Sequence, residues 1–269
     1  MTAHDIPRLF ACADAMADAA RTAILPYFRA AHGLENKAEH GFDPVTEADR
    51  ASEQAMRAIV AAHFPEHGVL GEEFGDTPGK SGYQWILDPI DGTRAFISGL
   101  PLWGVLIGLS YEGAPILGVM DQPYLDERYS GWAFGEAAGA YATTRGERKP
   151  LKTRMRAGLS EATLSTTDGS LLRNAEGEAF NAVRAQAKLT RYGYDCYAYA
   201  MTASGHMDCV IESGLKSYDI AALIPILAAA GGGVCNWRGG DASKGGQVLA
   251  YGDPRVRDEA LALLERAAS

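Results

Sequence analysis

The chain is poor in cysteine, and the four it has, Cys12, Cys196, Cys209 and Cys235, form no C-x-x-C pair. That spacing excludes a zinc ribbon or a thioredoxin-type motif and favours free thiols in a reducing cytoplasm. The six histidines show no metal-ligand spacing, and no Walker-type phosphate loop occurs. Excess positive charge is also missing: the net charge of -9 and a pI near 5.2 exclude a general phosphate-backbone binder, so no nucleic-acid partner is expected. No apolar run is long enough to span a bilayer. The longest, Ile220 to Cys235, is broken by Pro225 and three glycines and reads as a buried helix. Near the N-terminus Asp5, Arg8, Asp14 and Asp18 interrupt the apolar residues, unlike a secretory leader, so neither export nor a membrane partner is expected and the location is read as cytoplasmic.

What is present is a 269-residue chain, 47% hydrophobic, with enough apolar mass for one large domain or two modest ones. It is organised around Trp85 to Pro101. The aromatic and β-branched content of Tyr83 to Leu87 predicts a strand that Pro89 ends, which sets Asp88 and Asp91 at the strand end. Gly92 allows close backbone approach, and the N–H groups of Gly92, Thr93 and Arg94 would open a short helix suited to a phosphate. Aspartates facing a phosphate repel it. Two unit charges about 4 Å apart cost roughly 4 kcal/mol at an effective dielectric near 20, and a divalent cation between them reverses the sign. Oxygen-only ligands select magnesium, with manganese as a substitute, over zinc.

The rest of the chain reads as alternating elements. His4 to Ala31 predicts a long alanine-rich helix kinked at Pro26, and a second helix runs to Phe64 behind a Thr46–Asp49 cap. On spacing alone Asp49 is a charged first-turn residue. Val69 to Gly75 predicts a short strand ending in Glu72 and Glu73. Leu102–Tyr111, Pro115–Met120 and Glu127–Phe134 predict an antiparallel meander. Six basic residues between Arg145 and Arg156 read as a solvated linker, giving two expected domains, 1–150 and 151–269. The second opens with a strand at 162–167 and a helix at 175–187. An aromatic cluster, Tyr192 to Tyr199, and a strand at 207–212 follow. An apolar helix with Ser217 as N-cap then places Asp219 in its first turn. Pro225 breaks that helical pattern.

Three acidic blocks, Gly71-Glu72-Glu73, Asp88-Pro89-Ile90-Asp91-Gly92-Thr93 and Tyr218-Asp219-Ile220-Ala221, together resemble the inositol monophosphatase family of magnesium-dependent, lithium-sensitive phosphatases. The resemblance spans roughly residues 37 to 238. It implies an α/β (α+β) fold, a layered αβαβα sandwich of the inositol monophosphatase and fructose-1,6-bisphosphatase type, and a homodimer. It also implies metal ligation by Glu72, Asp88, the Ile90 carbonyl, Asp91 and Asp219, two or three Mg2+ ions, and a phosphate held at Gly92 and Thr93. In the family pattern Thr93 binds the attacking water and is oriented by Asp49, with Glu72 completing the catalytic set. Lys37 falls in the family's mobile loop.

The runs Tyr192 to Ala200, Glu212 to Asp219 and Arg94 to Gly99 look like the histidinol-phosphate phosphatase branch. Inositol-specific members carry a tryptophan before the last metal aspartate, where this chain has Tyr218. The implied activity is hydrolysis of the phosphate monoester L-histidinol phosphate in histidine biosynthesis. An inositol 1-phosphate or broad small-molecule phosphatase is the alternative. Acidic Asp195 and Glu212 beside aromatic rings suit a cationic amine, with Arg94 also at the substrate, although Glu212 can equally accept from hydroxyls.

Overall fold

A computed structural model describes residues 6–30, 35–36, 44–45, 47–134 and 137–269. In chain order the elements begin with α1 (Ile6–Ile24), a small paired ribbon β1 (Glu35–Asn36) and β2 (Pro44–Val45), and α2 (Glu47–His63). Then come β3 (Gly68–Gly71), β4 (Gly75–Thr77), β5 (Tyr83–Asp91), α3 (Thr93–Ile97), β6 (Gly104–Tyr111), β7 (Ala114–Gln122), β8 (Glu127–Phe134), β9 (Ala137–Thr144) and β10 (Glu147–Pro150). The second half supplies β11 (Thr163–Thr166), α4 (Asn174–Gln186), β12 (Leu189–Tyr192), α5 (Asp195–Ala203), β13 (Cys209–Leu215), α6 (Ser217–Ile220), α7 (Leu223–Ala229), β14 (Gly233–Asn236), β15 (Gly246–Tyr251) and α8 (Pro254–Leu264).

Strands β3 to β10 make an eight-stranded sheet in the order β10-β9-β8-β7-β6-β5-β3-β4. A five-stranded sheet follows the order β12-β11-β13-β15-β14. Strand alternation divides the core into three apolar clusters. Trp85, Leu87, Val105, Ile107 and Val119 face α1 and α2, against Met16, Ala20 and Met56. Leu106, Met120 and Tyr129 point the other way, onto Tyr199, Ile220, Leu223 and Ile226, and Val210, Val248 and Ala250 of the second sheet close that middle layer. The far face of the second sheet, with Leu164, Cys209, Ile211 and Leu249, is covered by Phe180 and Val183 of α4 and Val256 and Ala260 of α8. The result is the expected αβαβα layering.

Several boundaries differ from expectation. The first helix ends at Ile24, before Pro26, so the proline stops it rather than kinking it. Pro89 does not end β5. The strand continues to Asp91 through a β-bulge, because Asp88 pairs with Leu106 and Asp91 with Gly104, three residues opposite two. A bulge is where a strand tolerates a residue without an N–H. The basic stretch around 147–150 is an edge strand, pairing β9, rather than a linker. The apolar helix is split into α6 and α7, its N-cap is Lys216 rather than Ser217, and Pro225 sits in the first turn of α7, where its missing N–H costs nothing.

A row of glycines sets how close the middle layer comes. Gly108, Gly118 and Gly131 are cross-strand neighbours on β6, β7 and β8. A Cβ on Gly118 would lie 1.8 Å from the Ala222 carbonyl oxygen, and one on Gly131 would lie 2.5 Å from the Ile226 Cα. The α6–α7 junction therefore rests directly on sheet backbone, and α6 carries Asp219. Gly118→Ala is expected to lower unfolding free energy by about 1–3 kcal/mol through overpacking, read as a reduced urea midpoint at unchanged slope. An unchanged midpoint would mean that the contact is slack.

Candidate active site

Five segments, the β3–β4 turn, β5, α5, β13 and α6, bring carboxylates to one cleft of about 290 Å³, bordered by Glu72, Asp88, Ile90, Asp91, Gly92, Thr93, Asp195, Glu212 and Asp219, among others. The β5 bulge explains how one strand supplies two of them. Residues three apart on a regular strand point to opposite faces, and the extra residue returns Asp91 to the side of Asp88. Carboxylate oxygens of Asp88, Asp91 and Asp219 all lie within 4.8 Å of one another.

Each of these aspartates is held by a backbone N–H. Ile90 N donates to Asp88 Oδ1 at 3.1 Å, Cys196 N to Asp91 Oδ2 at 2.6 Å, and Lys216 N to Asp219 Oδ2 at 2.6 Å. The Thr93 hydroxyl donates to the Ile90 carbonyl at 3.0 Å, tying the bulge to the start of α3. Gly92 has φ +87°, and a Cβ there would meet the Asp195 side chain at 3.1–3.2 Å, so glycine is required twice over.

Glu72 lies in the turn between β3 and β4. Sequence reading missed what holds that turn. Glu53, fully buried on α2, accepts from Glu73 N at 2.7 Å and Phe74 N at 3.3 Å, and its own charge is met by Arg57 at 2.7 Å. The i,i+4 Glu–Arg spacing was visible in the sequence, yet nothing there showed it facing inward. Asp49 is buried at the N-terminal end of α2, and its charge acts on Asp88. Lys37 and Thr46 lie outside the described residues.

Away from the aspartate cluster, Glu212 accepts from Thr167 N at 2.6 Å and Thr166 Oγ at 3.2 Å. Asp195 opens α5 at φ +44°, an uncommon conformation for a non-glycine residue. Asp195, Arg94 and Thr167 also border a second, wider cavity of about 680 Å³, which joins the cleft there.

The electrostatics are those of acids without enough positive charge. Burial, then the Glu72, Asp91, Asp219 and Asp49 carboxylates, raises the Asp88 carboxyl well above its ordinary range. Burial, then Asp195 and Asp219, does the same to Asp91, against the opposing Cys196 N–H. Burial lifts Asp219 to about 6, Asp195 to about 6 and Glu212 to about 7. An oxygen-only donor set of this charge fits a hard divalent cation, and Asp88, Asp91 and Asp219 are the residues placed to hold it, with Glu72 and the Ile90 carbonyl on the same cleft.

Known proteins share much of this sequence and its overall fold. The inositol monophosphatase family profile matches residues 6–268. The bifunctional phosphatase IMPL2 of Arabidopsis thaliana, a chloroplastic protein, is 41% identical over 97% of this chain and 76% of its own length. A histidinol-phosphatase of Chlorobaculum parvum is 37% identical over 83% of this chain and 84% of its own. Among solved structures, an inositol monophosphatase from Zymomonas mobilis superposes with a TM-score of 0.83 at 39% identity, covering 98% of this chain and all of that one.

The raised carboxyls give a sign for the effect of metal. Asp219 moves from an ordinary 3.8 to about 6 on folding, so the folded state holds its proton to higher pH than the unfolded state. Its contribution to stability is present below about pH 4 and is lost as pH rises through about 6. Added MgCl2 should therefore raise Tm more at pH 8 than at pH 5 in scanning calorimetry of metal-stripped protein. An equal or absent shift at both pH values would contradict the cation site.

Proposed function

The chain belongs to the inositol monophosphatase family and is a metal-dependent phosphatase of small phosphate esters, and we propose that its substrate is L-histidinol phosphate and its metal Mg2+. The observation that carries the substrate is the acidic wall beyond the aspartate cluster. Asp195 and Glu212 stand on the alcohol side of the cleft, joined through Thr167, where a substrate bearing an amine and an imidazole would place its positive charge. Such a pair suits an amino alcohol through charge-assisted hydrogen bonds. The similarity to a histidinol-phosphatase supports the same reading. The similarity to an inositol monophosphatase structure favours inositol 1-phosphate as the second reading. A homodimer is the family-based part of the proposal.

In this reading Glu72, Asp88, the Ile90 carbonyl, Asp91 and Asp219 hold the metal. A divalent cation bound there supplies positive charge against the phosphoryl oxygens and a more acidic water. The Gly92 and Thr93 amides, at the start of α3, receive the phosphate. Thr93 positions the attacking water and Asp49 fixes Thr93. Arg94, at the junction of the two cavities, balances the acidic wall and approaches the substrate from outside.

A panel of histidinol phosphate, inositol 1-phosphate, fructose 1,6-bisphosphate and 3′-phosphoadenosine 5′-phosphate in magnesium buffer tests the substrate. Histidinol phosphate should give the highest kcat/KM, and a higher value for inositol 1-phosphate would favour the second reading. Asp91→Asn should abolish turnover while leaving the circular dichroism spectrum and Tm of metal-free protein intact, because this carboxylate serves the cation more than the core. Retained turnover would remove Asp91 from the ligand set.

A further inference from the structure

Tyr199 lies in the middle of α5, 4% exposed, and borders the cleft together with Glu212, Asp91 and Asp219. Its hydroxyl oxygen is buried and has no hydrogen-bond partner among the described residues. A buried, unpaired hydroxyl is costly, and a phenylalanine would fill the same space without that penalty. The neighbouring tyrosine on this helix shows the usual outcome: the Tyr197 hydroxyl donates to Glu127 at 2.7 Å, as does that of Tyr129. The exception at Tyr199 occurs where the helix faces the reaction cleft.

Resting on the phosphatase reading above, we propose that Tyr199 is a specificity-determining residue, whose hydroxyl donates to an acceptor atom on the alcohol part of the substrate while Glu212 takes an adjacent donor. Burial and the surrounding Glu212, Asp91 and Asp219 carboxylates keep the hydroxyl protonated, which makes it a donor. Glu212, with its oxygens already accepting from Thr166 and Thr167, keeps lone pairs for a ligand donor. The matching group presents donor and acceptor side by side, as a neutral imidazole or a hydroxyl does. A bare hydrocarbon or an ammonium alone does not satisfy both residues.

The test compares wild type with Tyr199→Phe on histidinol phosphate, inositol 1-phosphate and phenyl phosphate, whose alcohol part offers no such pair. The selectivity ratio, kcat/KM for the better of the first two over that for phenyl phosphate, should fall about 3- to 10-fold, mainly through KM, the size expected for one neutral hydrogen bond. The Tm of the variant should equal or exceed that of wild type, since an unpaired buried hydroxyl is removed. An unchanged ratio, or a uniform loss on all three esters with a lower Tm, overturns the proposal and leaves the phosphatase reading standing. Absence of any turnover by wild type overturns both.

Discussion

Repulsion among buried carboxylates is the constraint around which this molecule is arranged. Asp88, Asp91 and Asp219 place oxygens within 4.8 Å of one another, and Glu72, Asp49, Asp195 and Glu212 add to the negative field. Two ionised groups about 4 Å apart repel by roughly 4 kcal/mol at an effective dielectric near 20, and without a cation the cluster relieves that repulsion by holding protons to higher pH than ordinary carboxylates do. The three apolar clusters must hold the chain together against that strain, and a bound cation turns the same field into affinity. The site is thus a poor structural core and a good receptor for a metal and the phosphoryl group that follows it.

The scaffold solves the placement problem with backbone rather than with long side chains. A bulge in β5 turns two aspartates to the same side, a glycine row on β6 to β8 lets α6 settle close to the sheet, and Glu53 with Arg57 fixes the turn that carries Glu72. Each aspartate of the cluster also accepts a main-chain N–H. Main-chain donors lose little conformational entropy on binding and carry no counter-charge, so they orient the carboxylates without neutralising the charge that recruits the cation. Glycine at 92 lets Asp195 pack against the turn that follows β5, so the acidic wall adjoins the aspartate cluster.

Much of this was legible in the chain. The acidic blocks at 71–73, 88–93 and 218–221 were recognisable because metal chemistry constrains residue type and local spacing together, and the layered fold came with them. Most strands and helices followed from periodicity. What periodicity misplaced or passed over were the exceptions that the site needs. Pro89 looks like a strand end unless the pairing partner is known, since a bulge is a property of two strands. Gly108, Gly118 and Gly131 are ordinary strand glycines until their registration across β6 to β8 shows them as one surface. Glu53 reads as a solvent-facing helical acid, and Tyr199 as one more aromatic in a cluster, because neither burial nor an unpaired hydroxyl leaves a mark on local sequence.

The most direct measurement is anomalous diffraction from crystals grown with Mn2+ in place of Mg2+. Strong anomalous peaks are expected among the carboxylates of Asp88, Asp91 and Asp219, at coordination distance from the Ile90 carbonyl and beside Glu72. Manganese bound only at surface acids, with that cleft free of anomalous density, would contradict the convergence of these residues on a catalytic cation.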